Sequence, residues 1–258
     1  MTRTIRVIKV GGRPQLDPAF PAALAAAHRA APGSLVVVHG GGDEVSTLQK
    51  LYGVDARFSG GRRVTSATDL VIIRMALSGS ANKRLVSVLN DAGVPALGLS
   101  GEDAGLLLAT PADPAQFGFV GTPSRVSVAL LQHLMGGGYF PVISPVSRSD
   151  DPRAGATLNV NGDDAASAIA VALAAEELLL VSDVEGVSVG GECISRLDMD
   201  EAHRLVNDGT AGGGMAAKLQ AGLAALEGGV ARVRISDIAA IGHADRGTLL
   251  TRVGSACA

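Results

Sequence analysis

Lysine is scarce in this chain, four residues against eighteen arginines, and two of the four stand beside glycines. Lys9 ends a short apolar run and opens Lys9-Val10-Gly11-Gly12, while Lys218 closes Gly212-Gly213-Gly214-Met215-Ala216-Ala217-Lys218. An ammonium is a compact point charge suited to a phosphoryl oxygen, whereas a guanidinium serves planar, bidentate contacts. A chain that otherwise prefers arginine but keeps lysine next to glycine reads as one built around a polyphosphate, which points to phosphoryl transfer.

Four further stretches carry polar chemistry. Lys9 and its glycines fit the carboxyl end of a first strand, where open α/β sheets take ligands and where glycine lets backbone N–H groups approach an oxyanion. A strand-ending turn with a snorkelling lysine fits the same residues, and the spacing of a Walker loop is absent. His39-Gly40-Gly41-Gly42 follows a second apolar run. Three successive glycines cost roughly 0.5–1 kcal/mol each in conformational entropy, which a plain turn does not call for and a backbone cradle at a helix N-terminus does. His39 itself reads as a structural hydrogen-bonder. Arg62 and Arg63, inside Gly61–Thr65, offer guanidinium groups for an acidic substrate, or form a solvated basic turn. In Asn159-Val160-Asn161-Gly162-Asp163-Asp164, alternation puts Asn159 and Asn161 on one strand face, with Asp163 beside them if the extended geometry continues. There it would orient two lysines by charge pairing; Asp163 or Asp164 equally fits a plain helix N-cap. Asp183-Val184-Glu185-Gly186-Val187 reads as an acid-plus-glycine loop for ribose or adenine, and Thr210–Lys218 as a second glycine-rich turn or a flexible loop.

The elements that must hold these residues alternate. Strands are expected at Ile5–Val10, Leu35–His39, Pro95–Ser100, Phe140–Pro145, Leu178–Ser182 and Ala231–Ser236. Helices are expected at Pro18–Ala31, Glu44–Tyr52, Asp69–Ser78, Asn82–Ala92, Ser127–Met135, Asp163–Ala175, Met199–Asp208 and Met215–Glu227. Phe117–Val126 reads as a hairpin or edge strand, and Ser147–Ala156 as a polar loop. Strands separated by such helices imply a largely parallel sheet with right-handed crossovers. A boundary near residue 176 separates the two groups of motifs, giving lobes 1–176 and 177–258.

Composition limits the rest. At 258 residues with 47% hydrophobic and 3% aromatic content, the core must be Ala, Val, Leu and Ile, which suits helices on a parallel sheet. A net charge of −3 offers no basic field for nucleic acid. Cys193 and Cys257 lack metal-like spacing. No run approaches the ~18–20 apolar residues of a membrane span, and no signal-peptide h-region precedes Lys9, so a cytoplasmic enzyme is expected.

In this order the motifs resemble the amino acid kinase superfamily, and within it the acetylglutamate kinases. The likeness also takes in Gly79-Ser80-Ala81-Asn82-Lys83, Gly98–Asp103, Val120-Gly121 and Gly247-Thr248. It implies an open αβα sandwich of two lobes, one for an acyl amino acid and one for ATP, and phosphorylation of the γ-carboxylate of N-acetyl-L-glutamate. Lys9 and Lys218 match the lysines that stabilise the transferring phosphoryl group, and Asp163 the aspartate that organises them. Gly11, Gly12, Gly41 and Gly42 match backbone donors around that group. Arg63 and Asn159 match holders of the substrate's α-carboxylate and its neighbourhood, with Asn161 beside them. The nucleotide side maps to Asp183, Val184, Glu185, Gly186, Val187, Ser188, Thr210, Ala211 and Gly212, with Mg²⁺ carried mainly by phosphate oxygens and no direct protein ligand. A related acylglutamate or carrier-linked aminoadipate kinase is the nearest alternative, and a non-catalytic binding module the more distant one. Glu102-Asp103-Ala104-Gly105 and the segment Ser236–Arg246 depart from the family pattern. Only eight residues precede Lys9, so the N-terminal helix of arginine-inhibited hexamers is not expected. The resemblance implies a homodimer joined around Asp69–Ser78 and insensitive to L-arginine.

Overall fold

The computed structural model describes residues 4–59, 62–151 and 156–252. Gly61 of the arginine loop, residues 152–155 of the polar loop and Cys257 lie outside them. In chain order the first half runs β1 (Arg6–Val10), α1 (Ala19–Ala30), β2 (Leu35–His39), α2 (Gly42–Leu51), β3 (Arg57–Ser59), β4 (Arg62–Val64), α3 (Ala67–Ile73), α4 (Asn82–Asp91), β5 (Ala96–Ser100), β6 (Leu107–Pro111), α5 (Pro114–Phe117) and β7 (Val120–Val126). The second half runs α6 (Val128–Gly136), β8 (Phe140–Ser144), β9 (Val146–Ser149), β10 (Thr157–Val160), α7 (Gly162–Ala172), β11 (Glu177–Val181), β12 (Ser188–Val189), β13 (Glu192–Cys193), β14 (Arg196–Asp198), α8 (Met199–Asn207), α9 (Gly213–Glu227), β15 (Arg232–Ser236) and β16 (Thr248–Thr251).

Eight strands form the central sheet in the order β14-β16-β15-β11-β1-β2-β8-β5. All pairs are parallel except β15 with β16. A parallel sheet buried on both faces needs continuous apolar strands, and every residue of β2, β8 and β11 is buried. Alternation along β1 splits the core. Val7 packs with Ala165, Ile169, Leu219 and Leu223 of α7 and α9 on one face, and Ile8 with Phe20, Leu24, Leu85 and Leu89 of α1 and α4 on the other. The expected sandwich is therefore present. β11 pairs with β1 in register, so one sheet runs across the boundary at residue 176. Among the described residues no helix is long and apolar enough to cross a membrane.

Several local expectations are corrected. Instead of breaking between Ser78 and Asn82, the chain continues from α3 to α4 through a π-helical stretch, Arg74–Ala81; a single glycine without proline only weakens a helix. β9 occupies the start of the loop expected at Ser147–Ala156, and β7 is neither a lone hairpin nor an edge. β10, β7, β6 and β9 close a small barrel, with β7 antiparallel to β6 and parallel to β10. β6, β9 and β10 are short, and the barrel closes through the non-local pairings of β6 with β9 and of β7 with β10. In the divergent Glu102–Gly105 turn, Ala104 adopts φ 51°, a left-handed conformation that costs an L-residue about 1–2 kcal/mol.

Candidate active site

β1 and β2 end together, Val10 beside His39, and β11 ends at Val181 beside Val10. Three loops therefore leave one edge of the sheet side by side. Lys9 shares the face of Val7, so its side chain runs toward α7 and α9. Its Nζ lies 2.9 Å from Oδ1 of Asp163, in the first turn of α7, and Lys218 of α9 places Nζ 3.5 Å from Oδ2 of the same carboxylate. All three residues are buried. Gly162 leaves room for this arrangement, since a Cβ there would come 3.2 Å from Lys9 Cε.

Burial opposes ionisation of Asp163, but Lys9 and Lys218 outweigh it and hold its carboxyl below the ordinary aspartate value. Burial and then Lys9 lower Lys218, against the pull of Asp163. The cluster is two cations on one anion, an uncompensated positive charge out of water. Asp163 does not extend the face of Asn159 and Asn161 as a strand would place it; β10 stops at Val160 and Asp163 is helical. Nor do Asp163 or Asp164 cap the helix. Asn161 does, accepting from the N–H groups of Asp163 at 2.7 Å and Asp164 at 3.4 Å.

Lys9 and Asp163 of this cluster line a cleft of about 240 Å³ together with Gly40–Gly42, Val45, Phe58, Arg63, Asn159 and Asn161. The expected donors divide. Gly11 gives its N–H to Val181 O at 3.2 Å, so it prolongs the sheet and is corrected as a donor to the cleft. The amides of Gly12, Gly41 and Gly42 have no protein acceptor among the described residues, and the two glycine loops lie against each other, a Cβ on Gly12 falling 3.6 Å from Gly41 Cα and Gly42 N.

Arg63 is held by neutral groups. Its Nη1 donates to Gln49 Oε1, its Nη2 to Ser46 Oγ at 2.9 Å and Gly42 O at 3.3 Å, and its guanidinium stacks 4.7 Å from the Phe58 ring centroid. Asn159 donates to Thr65 Oγ1 at 3.1 Å, which ties β10 to the arginine loop. Gln49 and Phe58 escaped the sequence reading. The available signal was a polar residue one helical turn after buried Val45, on the inward stripe of α2.

His39 is fully buried with both ring nitrogens engaged, Nδ1 with Gly40 O at 2.9 Å and Nε2 with Asn82 Nδ2 at 3.1 Å. Burial lowers its pKa to about 4. It is a neutral structural residue, and Asn82 also donates to Val142 O.

A second cavity of about 200 Å³ gathers Val184, Gly186, Val187, Ser188, Thr210, Ala211 and Gly212 with Leu205 and Met215. Asp183 and Glu185 do not line it. Asp183 points to Arg13, 3.4 Å away, and exposed Glu185 gives its carbonyl to Ser236 Oγ. Buried Thr248 fastens the loop, accepting from Val187 N–H at 2.8 Å and donating to Ile194 O at 2.5 Å. Gly186 is obligatory beside it, because a Cβ would meet Thr248 Oγ1 at 2.7 Å.

Residues 4–237 match the amino acid kinase family model. The chain is 44% identical over 250 residues, 96% of its length and 97% of the relative's, to an acetylglutamate kinase of Chloroflexus aurantiacus. It is 40% identical to one of Geobacillus stearothermophilus, over 91% of this chain and 90% of that one. Its fold superposes with a TM-score of 0.86 and 29% identity on smu.665 from Streptococcus mutans UA159, covering 96% and 99% of the two chains. A buried lysine–aspartate–lysine cluster at the mouth of a parallel α/β sheet, read together with these likenesses, makes this chain a member of the amino acid kinase family.

Proposed function

We propose that the protein phosphorylates the γ-carboxylate of N-acetyl-L-glutamate with ATP, the activity that its relatives' names carry. The observation that carries the assignment is that Lys9 and Asp163 of the lysine–aspartate–lysine cluster line one cleft together with Arg63. Such a cleft suits a substrate with negative charge at both ends.

The acceptor must arrive ionised, because neither candidate base is suited to take a proton. His39 is neutral with both nitrogens occupied, and Asp163 is held well below its ordinary pKa by two lysines, which makes it a weak base. A carboxylate needs no base. Chemistry then reduces to alignment and to neutralising charge on a loose transition state. Lys9 and Lys218 face the transferred phosphoryl oxygens, Asp163 holds the two ammoniums together, and the free amides of Gly12, Gly41 and Gly42 complete the cradle. Arg63 takes the α-carboxylate, with Asn159 and Asn161 along the wall.

Family membership implies ATP as donor. The cavity between Val184–Val189 and Thr210–Gly212 has the place and lining for its base and ribose. Mg²⁺, held mainly by the phosphate oxygens, would supply charge neutralisation there. Residues 1–176 thus serve the acyl amino acid and 177–258 the nucleotide, on a shared sheet. A homodimer through the π-containing helix is supported by exposed Leu51, Tyr52, Val71 and Met75, the last three around one surface depression.

ADP release measured with N-acetylglutamate, N-succinylglutamate, glutamate and aspartate tests the reading. N-Acetylglutamate should give the highest kcat/KM; a larger value for any of the other three overturns it.

A further inference from the structure

Gln49 stands between a cation and an anion. The residue is 1% exposed on α2. Its Oε1 accepts from Arg63 Nη1, and its Nε2 donates to Asp69 Oδ1 at 2.5 Å. Those two neighbours fix which way the amide faces, since only the oxygen accepts and only the nitrogen donates. Asp69 is itself anchored, with Oδ2 accepting from Ser66 N–H at 2.8 Å and Ser66 Oγ at 2.6 Å in the capping box of α3. The guanidinium of Arg63 is thereby built into a rigid chain without touching a carboxylate among the described residues. Its other partners, Ser46 Oγ, Gly42 O and the Phe58 ring, are neutral too.

An arginine that binds a ligand carboxylate has two needs that conflict. It must be fixed in advance, because ordering a long side chain on binding costs affinity. It must also stay unneutralised, because a contacting acid would compete with the ligand for the same fork of donors. A direct Arg63–Asp69 pair would meet the first need and defeat the second. An interposed amide meets both. It passes the orienting hydrogen bond along while holding the negative charge one residue away. Nothing in helix packing asks for glutamine here; the preceding inward position of α2 is Val45.

We infer that Gln49 is the positioning residue that sets charge selectivity in the acyl amino acid subsite, keeping Arg63 oriented but free to bind a ligand carboxylate. The inference rests on the assignment of Arg63 to the α-carboxylate. It extends that assignment to a residue that touches no substrate, and it makes the subsite selective for a charge rather than for a shape.

The test moves the negative charge by one residue without changing the total. In the double variant Gln49→Glu/Asp69→Asn the acid contacts Arg63, and an amide takes the outer place. KM for N-acetylglutamate should rise about 10- to 100-fold, the weight of one charge-assisted hydrogen bond, with KM for ATP within about twofold. The wild-type preference for N-acetylglutamate over its α-carboxamide should shrink by a similar factor. A merely structural role for Gln49 would lower stability and kcat and leave that preference intact. If the double variant does not fold, Gln49→Leu, which removes both hydrogen bonds and keeps the bulk, should also shrink the preference. Arg63→Lys separates the two ideas. An unchanged KM for N-acetylglutamate in Arg63→Lys refutes the carboxylate assignment itself. A raised KM there, with an unchanged carboxylate preference in the folded Gln49 variants, refutes the role of Gln49 alone.

Discussion

Replacing Asp163 by asparagine removes the carboxylate that contacts both buried ammoniums and keeps the shape. At an effective dielectric constant near 20, charges 2.9 and 3.5 Å apart attract by roughly 5 kcal/mol each. Desolvation of the three groups and repulsion between the lysines consume much of that. What remains measurable is the cost of leaving buried charge unpaired, about 3–5 kcal/mol at pH 7. The loss should depend on pH in a definite direction. Lys218 already sits below the ordinary lysine value of 10.5 through burial and the charge of Lys9, and without Asp163 it must fall further. Between the folded and unfolded pKa values the unfolded chain then binds more protons, so the variant gains stability as pH rises. Urea unfolding followed by circular dichroism at pH 7 and at about pH 9.5 reads both effects. The gap between wild type and variant should be widest at pH 7 and narrower at the higher pH. A variant as stable as wild type at pH 7, or a gap that widens with pH, would refute the charge accounting on which the site rests.

Lys218→Ala should cut kcat roughly 100- to 1,000-fold, the scale of a lost oxyanion donor, with little change in KM for the amino acid; near wild-type turnover would remove Lys218 from the chemistry. Thr248→Val keeps the side chain's shape but strands Val187 N–H and Ile194 O. KM for ATP should therefore rise several-fold while KM for N-acetylglutamate holds, and Thr248→Ser should restore it; equal rises in both constants would deny Thr248 its place in the nucleotide loop. His39 has a folded pKa of about 4 against 6.5, so its share of stability is lost as pH falls from 6.5 to 4, up to roughly 3 kcal/mol. In His39→Gln, denaturant titrations across that window should show a shallower decline than wild type.

Much of the molecule was legible because its signals are local. Apolar runs with helices between them give a parallel sheet directly, and glycines beside Lys9 and His39 mark the sheet edge where two of the loops emerge. What stayed hidden was set by distant partners. The barrel strands β6, β9 and β10 are four or five residues each, and the barrel closes only through the long-range pairs of β6 with β9 and β7 with β10. The uninterrupted run from α3 to α4 depends on packing that overrides Gly79. Asp163 pairs with both lysines as expected, but the cap falls to Asn161 rather than to Asp163 or Asp164, because the sequence shows an acid near a helix start but not where the strand stops. Asp183 looked like a nucleotide contact by position and turns out to face Arg13. Gln49 gave the faintest sign, one amide on an apolar stripe, since its meaning depends on two residues 14 and 20 positions away.

The two ends of the cleft handle surplus positive charge differently, and the difference follows from how many cations each must hold. Lys9 and Lys218 converge on one point before any phosphate is present, and two ammoniums out of water repel. A carboxylate in direct contact keeps them together, and Asp163 touches both. At the other end Arg63 stands alone and needs orientation rather than compensation, so the nearest acid is withdrawn behind Gln49. The glycine loops join the two regions, since Gly12 lies against Gly41 and Gly42 while Gly42 O accepts from Arg63 Nη2. On the proposed function the lysine end meets the transferred phosphoryl oxygens and Arg63 meets the substrate α-carboxylate, so an acid lacking the carboxylate that faces Arg63 would leave that guanidinium unpaired, at a cost of kilocalories.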